Sequence, residues 1–138
     1  MATFNYYLDA ALTIPLTSDL LTSQNADGST GPQDFQIWLG SNAIGKMLRS
    51  DTNPGTDQIT VTPTDSNPGS GLPTTAMKLS LTQGGLAAAT AGAALNLGAT
   101  ILSTVGLAVS FWVRITDTTH VVGTYTDLSF VTNLLRED

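Results

Sequence analysis

At 138 residues, with a formal charge of −6 and no cysteine, the chain fits one domain and has neither disulfides nor thiolate metal ligands. Its five basic residues, Lys46, Arg49, Lys78, Arg114 and Arg136, are scattered, so no phosphate-tracking stripe forms and nucleic acid is not an expected partner. Twenty-two threonines, with 13 glycines and 6 prolines, favour pleated strands punctuated by turns over long helices.

The opening MATFNYYLDAALTIP lacks the basic start and apolar core of a signal peptide, and nothing in it marks export. Phe4, Tyr6 and Leu8 alternate in a predicted first strand. Residues 12–16 and 19–22 are short apolar pieces, broken by Pro15, and 24–33 is a polar loop. A strand follows at 34–39 with Phe35, Ile37 and Leu39 inward, and Ile59 and Val61 mark another. Residues 85–91, rich in alanine and followed by Gly92, form the single helix candidate. The last strands are predicted at 107–116 and at about 125–134. Turn signals recur every 8–14 residues, the spacing of a sandwich or barrel. The expectation is an all-β, antiparallel β-sandwich of seven to nine strands with at most one short helix, residues 1–138 forming a single domain.

Residues 79–113 carry no charge, and thirty-five such residues are long enough to span a bilayer. Yet five of them are Gly and nine are Ser, Thr, Asn or Gln, and no run free of both exceeds four residues. Leu107, Val109, Phe111, Val113 and Ile115 fall on one face, with Ala108, Ser110, Trp112, Arg114 and Thr116 on the other. A period of two is a half-buried strand. The same rhythm runs through Leu95, Leu97, Ala99 and Ile101, and through Met77, Leu79 and Leu81. The stretch reads as core, and no membrane partner is expected.

Asp51-Thr-Asn-Pro-Gly-Thr56 is echoed by Asp65-Ser-Asn-Pro-Gly-Ser70, bracketing a predicted strand at 58–64. Proline presets φ and glycine accepts a positive one, so both segments read as turns. A seven-residue strand of about 23 Å would set them at opposite ends of the domain.

Several motifs have the outline of chemistry. Gly40-Ser-Asn-Ala-Ile-Gly45-Lys46-Met47 matches a phosphate-binding loop up to its last position, where Met47 replaces the hydroxyl that would hold Mg²⁺. Without a following helix it reads as a loop with one solvated lysine. Ser23, Asn25, Asp27, Gly28 and Asp34 share the spacing of a calcium loop, making Asn25, Asp27 and Asp34 candidate ligands, although the flanking helices are missing and a polar turn is the simpler reading. His120 is the single histidine and Glu137 the single glutamate. No Gly-x-Ser-x-Gly elbow occurs, and His120 is expected in a solvent-facing turn. No enzyme activity and no cofactor are expected. Trp38 and Trp112 lie on the strand face opposite the aliphatic one, as partly buried residues or as interface anchors.

The final third, Leu107-Ala-Val-Ser-Phe-Trp-Val-Arg-Ile-Thr116, then a short polar connection and Val122-Gly-Thr-Tyr125, resembles a bacterial or phage immunoglobulin-like domain. That resemblance implies an immunoglobulin-like sandwich in which Tyr125 is the corner tyrosine, its hydroxyl bonding backbone near a strand crossover. Over about residues 30–134 the chain also resembles small virion structural proteins of tailed bacteriophages. The carrying motifs are Gly40-Ser41…Gly45, Pro54-Gly55-Thr56-Asp57-Gln58-Ile59, the Ala/Gly-rich link from Leu86 to Gly98, the strand ending Val113-Arg114, and the Gly-Thr-Tyr step.

This second resemblance implies a non-enzymatic assembly protein in the virion, made in the bacterial cytoplasm. Its partners would be the major capsid protein or other virion proteins, and it would be multicopy or homo-oligomeric. A capsid decoration (cement) protein is the leading expectation. A neck, tail-tip or fibre component, or an immunoglobulin-like carbohydrate or receptor binder, is the alternative. Residues 1–23 and 135–138 are expected as docking arms, with Phe4, Tyr6, Tyr7, Leu134 and Leu135 supplying grip, because unpaired apolar ends gain most from docking.

Overall fold

The computed structural model describes residues 3–117 and 121–138; His120 and its expected turn lie outside the described residues. In chain order the strands are β1 (Asn5–Tyr7), β2 (Gln33–Gly40), β3 (Met47–Ser50), β4 (Ile59–Asp65) and β5 (Met77–Ser80). They continue with β6 (Leu95–Gly98), β7 (Thr100–Leu102), β8 (Val109–Ile115), β9 (Leu128–Thr132) and β10 (Leu135–Glu137). A 3-10 turn, Thr74–Ala76, leads into β5, and the described residues contain no α-helix. Every pairing is antiparallel, in three sheets ordered β1-β2-β8-β5, β10-β3-β7 and β6-β4-β9. The fold is all-β and sandwich-like.

Period two does the work in the longest pairing. Across β2 and β8, Phe35 faces Val113, Ile37 faces Phe111 and Leu39 faces Val109. Residues directly opposite share a face, so these three pairs line the interior together. Ile37, Leu39 and Phe111 are wholly buried, and Val113 nearly so. The same cluster takes Leu48 and Ile101 from the second sheet and Ile59, Val61 and Leu97 from the third. One core is therefore fed by all three sheets, each enclosed aliphatic or aromatic side chain contributing roughly 1.5–3 kcal/mol. The uncharged stretch runs through β6, β7 and most of β8, and among the described residues no helix is long and apolar enough to cross a membrane.

Pro63 sits in the central strand of its sheet, a position proline normally avoids. The Thr60 N–H donates to Asn133 Oδ1 at 3.0 Å, and the Asn133 N–H donates back to the Thr60 carbonyl at 3.3 Å. The backbone groups of Thr60, Thr62 and Thr64 thus face the β9 side. Pro63 points the other way, where β6 has already ended opposite Val61. The missing N–H breaks no ladder bond.

The two Asn-Pro-Gly segments are turns flanking β4. The Thr56 N–H donates to the Asn53 carbonyl at 3.0 Å and the Ser70 N–H to the Asn67 carbonyl at 3.1 Å. Gly55 (φ 82°) and Gly69 (φ 84°) hold the positive-φ third position that only glycine fills without strain.

Four expectations need correction. The alanine-rich segment is a chain of single turns, with Gly85, Leu86 and Ala89 N–H groups donating to the carbonyls of Thr82, Gln83 and Leu86. Leu86 is buried but Ala87 and Ala88 are exposed, so there is no apolar stripe to offset the nucleation of so short a helix. The rhythm from Leu95 to Ile101 is not one strand: at Gly98 (φ 108°) the chain leaves the β4 sheet and enters the β3 sheet. β3 and β10 were not expected as strands. Leu107, expected inward, precedes β8 and is exposed.

The segments expected as docking arms are tied in where they are described. β1 pairs with β2, and the Leu8 and Leu16 N–H groups donate to the Ile14 and Tyr6 carbonyls as the following loop folds back along β1. β10 pairs with β3. Thr3 donates through its N–H and hydroxyl to the two Glu137 carboxylate oxygens, at 2.8 and 2.6 Å, joining one terminal segment to the other.

Candidate docking surfaces

The outer face of the four-stranded sheet is built by the residues that alternate with the core positions. Register sets Tyr7 beside Trp38 and Trp38 beside Ser110, and Gln36 beside Trp112 and Trp112 beside Ser80. Trp38 and Trp112 are thus diagonal neighbours on one face, each half-buried, opposite the aliphatic side as expected. Below them Asp34 accepts two hydrogen bonds from Arg114, Nε to Oδ1 at 2.8 Å and Nη2 to Oδ2 at 3.0 Å, and a third from Gln83 at 3.2 Å. The Arg114 hydrogen bonds hold the Asp34 carboxyl below the usual carboxylate range, against a smaller upward push from desolvation.

That pairing removes Asp34 from the calcium candidates. Asp27 Oδ1 accepts the Ser29 N–H at 2.9 Å, and Asn25 donates through Nδ2 to Ser29 Oγ at 3.0 Å, as in a polar turn. Among the described residues no three His, Cys, Asp or Glu side chains gather where a metal ion could be held.

The phosphate-loop look-alike serves structure. Ser41 is buried, donating to Thr3 Oγ1 at 2.9 Å and accepting the Ala43 N–H at 3.1 Å. The chain then enters β3 instead of a helix, with Lys46 exposed.

The terminal aromatics are mostly interior, which corrects the expectation of grip. Phe4 is 0% exposed and has no face to offer a partner. Tyr7 is buried too, because the loop after β1 closes over it through the Tyr7–Pro15 bridge. Tyr6 stands edge-on to Phe111 and Phe130, with ring centroids 6.2 and 5.4 Å away. Leu135 is half-buried against the core, and only Leu134, 80% exposed, is presented to solvent. Tyr125 donates its hydroxyl to the Val121 carbonyl at 2.9 Å, four residues upstream.

A surface not anticipated from the sequence lies at one end of the molecule. Three loops are tied together there. The Thr104 N–H donates to the Ser41 carbonyl at 2.7 Å, Lys46 and Ser103 bond each other through Ser103 Oγ and backbone, and Asn42 Nδ2 donates to the Leu12 carbonyl at 2.8 Å. Gly40 lets the loops close, since a Cβ there would meet Ala108 Cβ at 2.6 Å. Around this junction Leu8, Ile14, Ile44, Leu102, Val105 and Leu107 are exposed, Ile44 at 88%. Asp9 and Lys46 are the only charged residues in segments 8–14, 41–46 and 102–107. Asp9 is itself occupied, accepting the Thr13 and Ile14 N–H groups at 2.9 and 2.8 Å. An exposed apolar cluster with so little charge is the signature of a contact surface. No periodicity marks it, because each residue comes from a different loop.

Comparison with protein families, curated proteins and solved structures finds no match to this chain. What the fold defines is the class: an all-β, antiparallel, sandwich-like protein.

Proposed function

We propose that this chain is a non-enzymatic structural protein of a tailed-bacteriophage virion, most specifically a capsid decoration protein that binds the major capsid lattice. The sequence motifs supply the phage connection. The observation that carries the docking mechanism is the apolar loop end around Ile44, Val105 and Leu107. Buried against a capsid subunit, such side chains supply a hydrophobic centre, in segments whose only charged residues are Asp9 and Lys46. The mechanism is bridging: each copy contacts neighbouring capsid subunits, and attachment at several points multiplies affinity without new chemistry. The Asn-Pro-Gly turns, fixed by their own hydrogen bonds and largely exposed, are the candidates for solvent-facing tips. The test is copy number and location. Co-purification with intact heads at hundreds of copies supports decoration. Recovery with tails at six copies, or small multiples of six, moves the protein to the neck, tail tip or fibre.

The Trp38–Trp112 face favours a second reading, a carbohydrate or receptor binder, since half-exposed indoles beside Gln36, Ser80 and Ser110 suit stacking on sugar rings. Glycan arrays run with and without Ca²⁺ separate the two; strong, specific glycan binding lost in Trp112→Ala displaces the capsid reading.

A further inference from the structure

Among the described residues, six strands form the margins of the three sheets: β1 and β5, β10 and β7, and β6 and β9. An edge strand carries a row of backbone N–H and C=O groups that its own sheet leaves unpaired, and proteins blunt such edges by covering, shortening or charging them. Loops cover two of the six. The Leu8 and Leu16 N–H groups bond along β1, and the Gly92 N–H donates to the Met77 carbonyl on β5 at 2.8 Å. β6, β7 and β10 are three or four residues long, and β10 also holds Arg136 and Glu137. β9 has none of these devices. With five residues, Leu128-Ser-Phe-Val-Thr132, it is the longest of the six, free of charge, proline and glycine.

The hydrogen bonds tell its two sides apart. The Asn133 N–H donates to the Thr60 carbonyl at 3.3 Å and the Ser66 N–H to the Asp127 carbonyl at 2.9 Å, so residues 127, 129, 131 and 133 turn their backbone groups toward β4. Leu128, Phe130 and Thr132 turn theirs outward, where they meet no hydrogen-bonding partner among the described residues. Ser129 and Val131 between them are exposed, Val131 at 47%.

We propose that β9 pairs with β9 of a second copy of this chain, antiparallel about a two-fold axis through Phe130. That register is self-complementary. Phe130 faces its own equivalent and Leu128 faces Thr132 of the second copy, and each facing pair exchanges two backbone hydrogen bonds, so every outward group is satisfied. Ser129 falls opposite Val131 of the second copy, and because the strand is uncharged the copies meet without like-charge contact. A two-fold contact closes on itself, which uses up the edge instead of propagating it. The contact lies on other residues than the loop end around Ile44 and does not rest on the virion reading.

Sedimentation equilibrium of the purified chain is expected to show a monomer–dimer equilibrium below about 1 mM. Ser129→Lys with Val131→Lys sets lysine against lysine at both cross-strand positions and is expected to weaken the dimer about ten-fold. Ser129→Lys with Val131→Glu sets lysine against glutamate at the same positions and is expected to restore it. Both residues are exposed and both variants carry two substitutions, so a loss of folding does not reproduce that contrast. The chain has no cysteine of its own. Ser129→Cys with Val131→Cys should therefore join two copies by disulfides on mild oxidation, and Val131→Cys alone should not, because that register sets it opposite Ser129. The proposal is overturned by a chain that stays monomeric up to about 1 mM, by a dimer as strong with the two lysines as without them, by a lysine–glutamate variant that dissociates as readily as the lysine–lysine one, or by Val131→Cys cross-linking as efficiently as the double variant.

Discussion

Asp34 and Arg114 stand directly opposite each other across β2 and β8 and meet as a two-pronged ion pair, with N···O distances of 2.8 and 3.0 Å. The pair closes one end of the outer face that carries Trp38 and Trp112, and it keeps Asp34 from any cation. Both side chains are partly open to solvent, so the pair is worth about 1 kcal/mol rather than the several of a buried one.

Asp34→Asn is therefore expected to lower unfolding free energy by about 1 kcal/mol at pH 7. The folded pKa of Asp34 lies below its unfolded value, so the contribution is present above the unfolded pKa of about 3.9 and is lost as pH falls through the lower folded value. Urea unfolding at pH 7 and at pH 2 checks this: the gap between native and variant chains should close at the acid pH.

Tyr6 makes a prediction of the opposite sign. Its hydroxyl is buried and meets no partner among the described residues, while its ring is held edge-on by Phe111 and Phe130. Removing the oxygen relieves a desolvation penalty of about 1–3 kcal/mol and leaves the ring contacts in place. Tyr6→Phe should unfold at higher urea concentration than the native chain. The folded pKa of about 12 exceeds the ordinary phenol value of about 10, so the neutral phenol favours the folded state. That contribution is whole below pH 10 and declines as pH rises toward 12. Ultraviolet titration should show a tyrosine ionisation step near pH 12, and Tyr6→Phe should remove it.

The contrast between Ile37 and Phe4 shows how far residue patterning reaches. Ile37 and Phe111 belong to strands of eight and seven residues, long enough for alternation to declare which face is inside. β1, β7 and β10 have three residues and β3 and β6 four, too few for alternation alone to settle where a strand ends or which of its side chains are enclosed. Phe4 and Tyr7 flank or sit in such a strand, and what buries Tyr7 is a loop folding back from residues 8–16, a long-range event no local pattern encodes. Gly98 hides a change of sheet inside an unbroken apolar rhythm. The Asn-Pro-Gly turns were fully legible, because their geometry is set by two adjacent residues. The Ile44 surface was not, since it is assembled from three loops distant in sequence.

Phe4 and Leu134 separate packing from presentation at the two terminal segments. Phe4 is enclosed in the core, so Phe4→Ala should cost about 3–5 kcal/mol through lost transfer energy and an unfilled cavity. Leu134 is 80% exposed, and Leu134→Ser should change stability by no more than about 0.5 kcal/mol. Thermal unfolding of the two variants checks both values; similar losses would mean that Leu134 is packed in solution.

The apolar loop end makes the sharpest demand. Ile44 is 88% exposed and Val105 54%, and neither side chain is part of the core cluster. Charges introduced there meet water in the free protein, so Ile44→Asp with Val105→Asp should leave the unfolding midpoint almost unmoved, within about 0.5 kcal/mol for each substitution. In a docked state the same carboxylates would be stripped of water against an apolar partner, a penalty of several kcal/mol for each unpaired charge. Binding to heads, measured by sedimentation of the purified protein with particles lacking it, should accordingly fall by at least about a hundred-fold, equivalent to about 2.7 kcal/mol. The paired Trp38→Ala and Trp112→Ala variant tests the other surface in the same assay. Heads that retain the Asp variant but release the Trp variant would transfer docking from the loop end to the outer sheet face.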